Sequence, residues 1–270
     1  MRIGLNSGIF PGAWSLSEKI AAAGRCGAGG IEINIEAAEL LPRTLGRDDR
    51  RRLVGEARRA GVAVTSLCLN AHWVFALTDP DLRIREVASD LLLSAVELAR
   101  ELGAGTLLVP GCDKLESPPD RWMLFRDGLM RGIPRAEALG VTLAVEAVGR
   151  ELLFDTGKIL RLIEECGGSS ALGIYLDTGN AFRGGLDPVV EIERAKGRAA
   201  MVHMKDWISD ERRVTPLGEG EVGLGRAVKT LGSIGYDGWL NVELPPLAVD
   251  PEETARESVR YLKGLTETSL

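Results

Sequence analysis

The stretch LAVEAVGRELLFDTGKILRLIEECGGSSALGIYLD, residues 143–177, decides the fold. It opens on a short apolar run ending at Glu146 and closes on another ending at Asp177. Between them, residues 156–165 carry an amphipathic helical pattern. Strand, helix and strand within about 30 residues form a unit of two parallel strands joined by a crossover helix. The same pattern recurs downstream, where MVHMKD (201–206) carries His203 and WLNVEL (239–244) carries Glu243. The spacings are 31, 26 and 40 residues. One metal-ligating residue at the carboxyl end of each of four consecutive strands is the layout of a (β/α)8 barrel active site.

Working outward, strand-like runs alternate with amphipathic helices along the whole chain. Strands are expected at 3–6, 30–35, 62–68, 105–109, 141–146, 173–177, 199–204 and 239–243. Helices are expected at 15–24, 48–60, 81–102, 120–138, 156–165, 188–197, 224–234 and 251–265. The strands are short and rich in Val, Ile and Leu, as buried parallel strands are. Ser15 with Glu18 makes a capping box. Asp79-Pro80, Asp187-Pro188 and Asp250-Pro251 each pair a capping carboxylate with a proline at the first helical position. Gly61, Gly103 and Gly140 stand where a helix gives way to a strand. Eight units without a Ser/Pro-rich linker predict one α/β domain over 1–270, a single (β/α)8 TIM barrel. A doubly wound open sheet would not gather side chains from strands five to eight around one point.

The composition excludes several classes. The 270 residues carry a net charge of −6, which gives no general attraction to nucleic acid. Mean hydropathy is +0.03, and no apolar run approaches the ~20 residues of a membrane span. The amino terminus reads as a first strand rather than a signal peptide, so a cytoplasmic protein is expected. Cys26, Cys68, Cys112 and Cys166 are far apart and never fall as CxxC, which favours buried reduced thiols over disulfides or a thiolate metal site.

A single carboxylate after a strand is ordinarily a helix cap or a solvated loop residue. Glu146, Asp177, His203 and Glu243 in successive units point instead to one divalent cation. His203 is one of only two histidines, and it lies on a strand just before Lys205-Asp206. Three carboxylates and a neutral imidazole form an oxygen-rich set suited first to Mn2+, with Mg2+, Co2+ or Zn2+ as alternatives.

The motifs VEAV, LDTGN, VHMKD, LGEGEVG and NVEL together resemble the xylose-isomerase-like barrel superfamily of sugar isomerases and epimerases. The resemblance spans nearly the whole chain. It looks most like the pentulose- and hexulose-phosphate 3-epimerases, and next like the unphosphorylated ketose 3-epimerases. CLNAHW (68–73) is similar to that branch's third-strand motif, which also carries a histidine. The order Glu146, Asp177, His203, Glu243 matches the family's metal ligands position by position. Two positions depart. Many members have a histidine three residues after the ligand Asp, where this chain has Asn180, so hydroxyl recognition differs. The phosphate epimerases usually place arginine after the third-strand histidine, and Trp73 here weakens the case for a phosphorylated substrate.

The resemblance implies an epimerase or isomerase of a ketose sugar or sugar phosphate, above all a 3-epimerase. It implies proton transfer through a metal-stabilised cis-enediolate, with Glu146 and Glu243 as the working pair. It also implies a homo-oligomer, dimer or tetramer. Lys205, His72 and Asn180 are candidate contacts to sugar oxygens, and Trp14 and Trp73 offer faces to the C–H side of a sugar. Glu32, ending GGIEI, is a candidate to stand behind a ligand or to touch substrate. Arg150, with Arg183, Arg212 and Arg213, lies in a loop after a metal-bearing strand and is a candidate for a phosphate. LGEGEVGLG (217–225) lacks the Gly-Lys-Ser/Thr of a nucleotide loop, its acids repel an anion, and it reads as a lid over the sugar.

Three other readings compete. A dehydratase of an inosose-like polyol ketone would use the same barrel to expel water. A DNA-repair endonuclease of the superfamily would need a three-metal cluster, many histidines and a basic groove, which this chain lacks. A sugar-binding barrel without catalysis would not need all four ligands.

Overall fold

Side chains alternate faces along a strand, and in a closed barrel one face looks into the lumen and the other toward the helices. The computed structural model describes residues 1–40, 44–112, 119–148, 151–247 and 250–268. Its wall is made of β1 (Arg2–Asn6), β2 (Gly30–Asn34), β3 (Ala63–Cys68), β4 (Thr106–Pro110), β5 (Thr142–Glu146), β6 (Leu172–Asp177), β7 (Ala199–Met204) and β10 (Trp239–Val242). Neighbours in sequence are neighbours in the sheet, every pairing is parallel, and β10 closes on β1. These are the eight strands expected from the sequence.

Eight helices were expected and are found: α1 (Leu16–Arg25), α2 (Arg47–Arg59), α3 (Leu82–Leu102), α4 (Arg121–Leu139), α5 (Thr156–Glu165), α7 (Pro188–Arg194), α8 (Leu224–Ser233) and α9 (Pro251–Glu267). The Ser15–Glu18 capping box forms, and the Asp187 and Asp250 side chains accept N–H groups of the first turns of α7 and α9. Gly61, Gly103 and Gly140 have the left-handed backbone their positions demand. Asp79-Pro80 does not start α3. Asp81 caps that helix, while the Asp79 carboxylate is spent on the Asp81 N–H, 2.9 Å away.

Some elements among the described residues were not foreseen. A short helix, α6 (Thr178–Arg183), leaves β6 directly, with Asp177 as its N-cap. After β7 the chain forms an antiparallel hairpin of β8 (Asp206–Ile208) and β9 (Arg213–Thr215). The segment read as a lid runs from this hairpin to α8.

Outward residues of the wall, such as Leu143, Val145, Leu172, Ile174, Val202 and Leu240, join the helices in one continuous apolar core. Each such Val, Leu or Ile contributes about 1.5–3 kcal/mol by leaving water. The lumen is different. Cys68, Leu108, Ala144, Tyr175 and Met201 form a small separate cluster there, among the buried polar side chains of Asn6, Glu32, Ser66, His203 and Asn241. All four cysteines are buried thiols. No helix among the described residues is long and apolar enough to cross a membrane.

Candidate metal centre

Parity places the site. Glu146, Asp177 and His203 fall on the inward phase of β5, β6 and β7, and Glu243 stands one residue beyond β10 on the same phase. Pairing sets Asp177 beside His203 and Glu146 beside Tyr175. Each of the four offers one ligand atom, and those atoms lie within 4.8 Å of one another. His203 is central: its Nδ1 is 3.3 Å from Glu146 Oε1, 3.3 Å from Glu243 Oε2 and 3.8 Å from Asp177 Oδ2.

Each carboxylate is held by a different neighbour. Asp177 Oδ1 accepts the Asn180 N–H at 2.7 Å as the cap of α6, which leaves Oδ2 facing the cluster. Asn180 Nδ2 donates to Glu146 Oε1 at 3.3 Å. The Lys205 ammonium is 2.8 Å from Asp177 Oδ2, and it also pairs with Glu243 Oε2.

A second layer lies beneath. Glu32 is fully buried, and its Oε1 is 2.5 Å from His203 Nε2 and 2.6 Å from Asn6 Nδ2. Its Oε2 accepts from Ser66 Oγ at 2.6 Å and from the Tyr175 hydroxyl at 2.5 Å. Asn241 Nδ2 in turn donates to the Tyr175 oxygen at 2.9 Å. A carboxylate on one imidazole nitrogen fixes the ring and aims the other nitrogen at the cation position. Here that other nitrogen is Nδ1.

The electrostatics follow from burial and pairing. Burial raises the Glu146 carboxyl to about 7 despite its contact with His203. Burial also works to raise Glu243, but Lys205 and His203 outweigh it and hold this carboxyl at about 2. Burial works against a charged His203, yet Glu243 and Glu32 prevail and keep the imidazolium well above its ordinary range. Burial disfavours the Lys205 ammonium as well, and Asp177 and Glu243 overcome it. With Glu32, four clustered carboxylates face two cationic side chains among the described residues. An excess of buried anionic oxygens beside one imidazole fits a hard divalent cation.

The remaining sequence candidates distribute unevenly. Lys205 and Asn180 join the four ligands. Glu32 lies beneath the cluster: it has no exposed surface, and its oxygens serve His203 and three other donors. His72 is likewise closed off, with Nε2 3.0 Å from the Ala88 carbonyl oxygen, and burial pushes its imidazole down to about 4. Trp14 stacks on Phe10 with ring centres 5.6 Å apart and lines an outer groove with residues of α1 and α2. Trp73 is 45% exposed in a turn after β3. Arg150 lies outside the described residues. Arg183 donates to the Val148 carbonyl and stands 5.8 Å above the Trp207 ring, while Arg213 pairs with Glu211.

Sequence reasoning missed Asn6, Ser66, Tyr175 and Asn241. The signal was available: each is a polar group at an inward position of a strand whose outward positions are aliphatic.

A barrel whose candidate ligands from four carboxyl ends converge in this way defines a class. The chain belongs to the xylose isomerase-like TIM-barrel family, whose sequence pattern matches residues 20–265. Among its relatives is L-ribulose-5-phosphate 3-epimerase UlaE of Escherichia coli, 28% identical over 267 residues, which are 97% of this chain and 94% of that protein. Among solved structures, an L-ribulose 3-epimerase superposes with a TM-score of 0.84 at 22% identity, covering 99% of this chain and 95% of that one. The 3-keto-D-glucoside 4-epimerase of E. coli gives 0.80 at 17% identity, covering 98% and 99%. At those identities the two structures establish the shared fold.

Proposed function

We propose that the chain is a divalent-cation-dependent 3-epimerase of a ketose or ketose phosphate, with Mn2+ as the favoured ion. The observation that carries this reading is the placement of Glu146 and Glu243. They come from strands on either side of β6 and β7, and each stands 3.3 Å from the same His203 nitrogen. The relationship to a ribulose-phosphate 3-epimerase along the whole chain supports it.

Removing a proton from carbon beside a carbonyl builds negative charge on the carbonyl oxygen. A divalent cation held by Glu146, Asp177, His203 and Glu243 would supply Lewis-acid stabilisation of that charge. The chain's own residues do the rest. One glutamate takes the proton and the other returns it to the opposite face, which inverts the carbon. Lys205 and Asn180, at the edge of the cluster, donate to substrate oxygens and hold the sugar in one orientation. Asp177 keeps its place through its bond to the start of α6.

Solvent deuterium incorporation with Mn2+, across free and phosphorylated pentuloses and hexuloses, tests this reading. Exchange at C3 with inversion is expected. Exchange at C1 or C2 would make the protein an aldose–ketose isomerase, and loss of water would make it a dehydratase. No exchange on any sugar, with a cation bound, would remove the substrate class.

A further inference from the structure

The segment Leu217–Val222 wraps a single carboxylate. Asp206 is 2% exposed, and both of its oxygens are shared between backbone donors. Oδ1 accepts the N–H of Trp207 at 3.0 Å and of Val222 at 3.2 Å. Oδ2 accepts those of Gly218 at 2.9 Å and Gly220 at 3.1 Å. Hydrogen bonds to a charged group are stronger than neutral ones, and a buried carboxylate with four of them is a firm anchor.

The alternating glycines answer to this carboxylate. A Cβ on Gly220 would lie 2.2 Å from Asp206 Oδ1. Gly218 sits at φ +93°, with the Tyr261 ring 2.6 Å from where its Cβ would be. The GxG spacing therefore cradles an acid of the chain itself rather than an anion from outside. Glu221 completes the fastening: its N–H donates to the Trp207 carbonyl at 2.9 Å, and its carboxylate accepts from Ser209 Oγ at 2.6 Å. The expected lid is thus bolted to the hairpin.

Asp206 directly follows Lys205, whose ammonium reaches Asp177 and Glu243. The Lys205 backbone is pinned from the other side by Thr178 Oγ1, 3.1 Å from its N–H nitrogen and 3.0 Å from its carbonyl oxygen. We propose that Asp206 is a positioning residue: by fastening residues 218–222 to the β8–β9 hairpin, it sets where Lys205 stands at the edge of the metal centre.

The test is Asp206→Asn in the full chain. Asparagine has one acceptor oxygen and turns an amide NH2 toward N–H groups that need acceptors. Amide hydrogen exchange at Gly218, Gly220 and Val222 should accelerate about a hundredfold. The NMR signal of the Lys205 ammonium, sheltered in the wild type by its two carboxylates, should vanish into solvent exchange. The KM for the ketose should rise about tenfold, with kcat changed by less than about threefold. Unchanged exchange at the three amides overturns the proposal. So does faster exchange with the Lys205 signal and KM as in the wild type, since Asp206 would then only brace the hairpin. The kinetic arm rests on the epimerase reading and the two NMR arms do not, so a wild type that turns over no ketose sinks that reading alone. If the variant fails to fold, Gly220→Ala drives a methyl group into the same carboxylate, and the same readouts decide.

Discussion

The two faces of the barrel wall meet different partners. Outside, Leu143, Val145, Leu172 and Ile174 touch the helices in an apolar layer where contacts are many and non-directional. One residue away, inside, Glu32, Ser66, Tyr175, His203 and Asn241 are joined by hydrogen bonds with specific partners. The outer face holds the barrel together and tolerates changes of shape at a graded cost. The inner face is specific in its partners, because a buried polar group that loses its partner keeps its full desolvation penalty. Stability and chemistry are therefore written on opposite phases of the same eight strands, and variants on the two phases should fail differently.

The largest effect is expected inside. Glu243→Gln keeps shape but removes a carboxylate from the cluster, and turnover should fall by about a thousandfold with the thermal midpoint nearly unchanged. Steady-state kinetics beside thermal melting would show it, and full activity would end the two-glutamate mechanism. On the other phase, Leu143→Ala should cost about 2–5 kcal/mol in urea unfolding, with cation affinity preserved. Parallel loss of affinity would mean that the faces are not separable.

His72 sharpens the contrast through pH. It is buried and neutral, with its imidazole at about 4, below the ordinary unfolded value near 6.5. A depressed histidine stabilises fully above the unfolded value. As pH falls from 6.5 toward 4 the unfolded chain takes up the proton first, and about 3 kcal/mol of stability is lost. His72→Gln should flatten that slope in unfolding measured across the window, and an unaltered slope would assign it to other groups. The smallest change is expected from Glu32→Gln, which leaves the barrel folded but loosens the His203 ring. Cation affinity by calorimetry should weaken about 10–100-fold, and wild-type affinity would remove Glu32 from the centre.

The eight strands and the clustering of Glu146, Asp177, His203 and Glu243 were legible because each depends on local pattern: a short apolar run, a polar residue at its end, a helix after it. Asn180 and Lys205 were reachable by the same logic, as near neighbours of Asp177 and His203. What lay beyond was pairing across the lumen. Glu32 and Tyr175 are 143 residues apart, and nothing near either one announces the other. That is why the sequence leaves Glu32 open between standing behind a ligand and touching substrate, while the structure sets it against His203. The enclosure of His72 was out of reach in the same way, since a turn after a strand suggests exposure and only the packed helix α3 reveals its burial. The hairpin and α6 escaped because they are brief and sit where a plain loop was expected.

One feature of the site reaches into how it fills. Both nitrogens of His203 face carboxylate oxygens, Nε2 toward Glu32 and Nδ1 toward Glu146 and Glu243, and these acids favour the protonated ring over the neutral one. A metal ion can take Nδ1 only after that proton has gone. Uptake of an ion there would also release acid. In unbuffered solution the protein should lower the pH as it fills, and its hold on the ion should slacken as the medium becomes more acidic, with no sugar present at all.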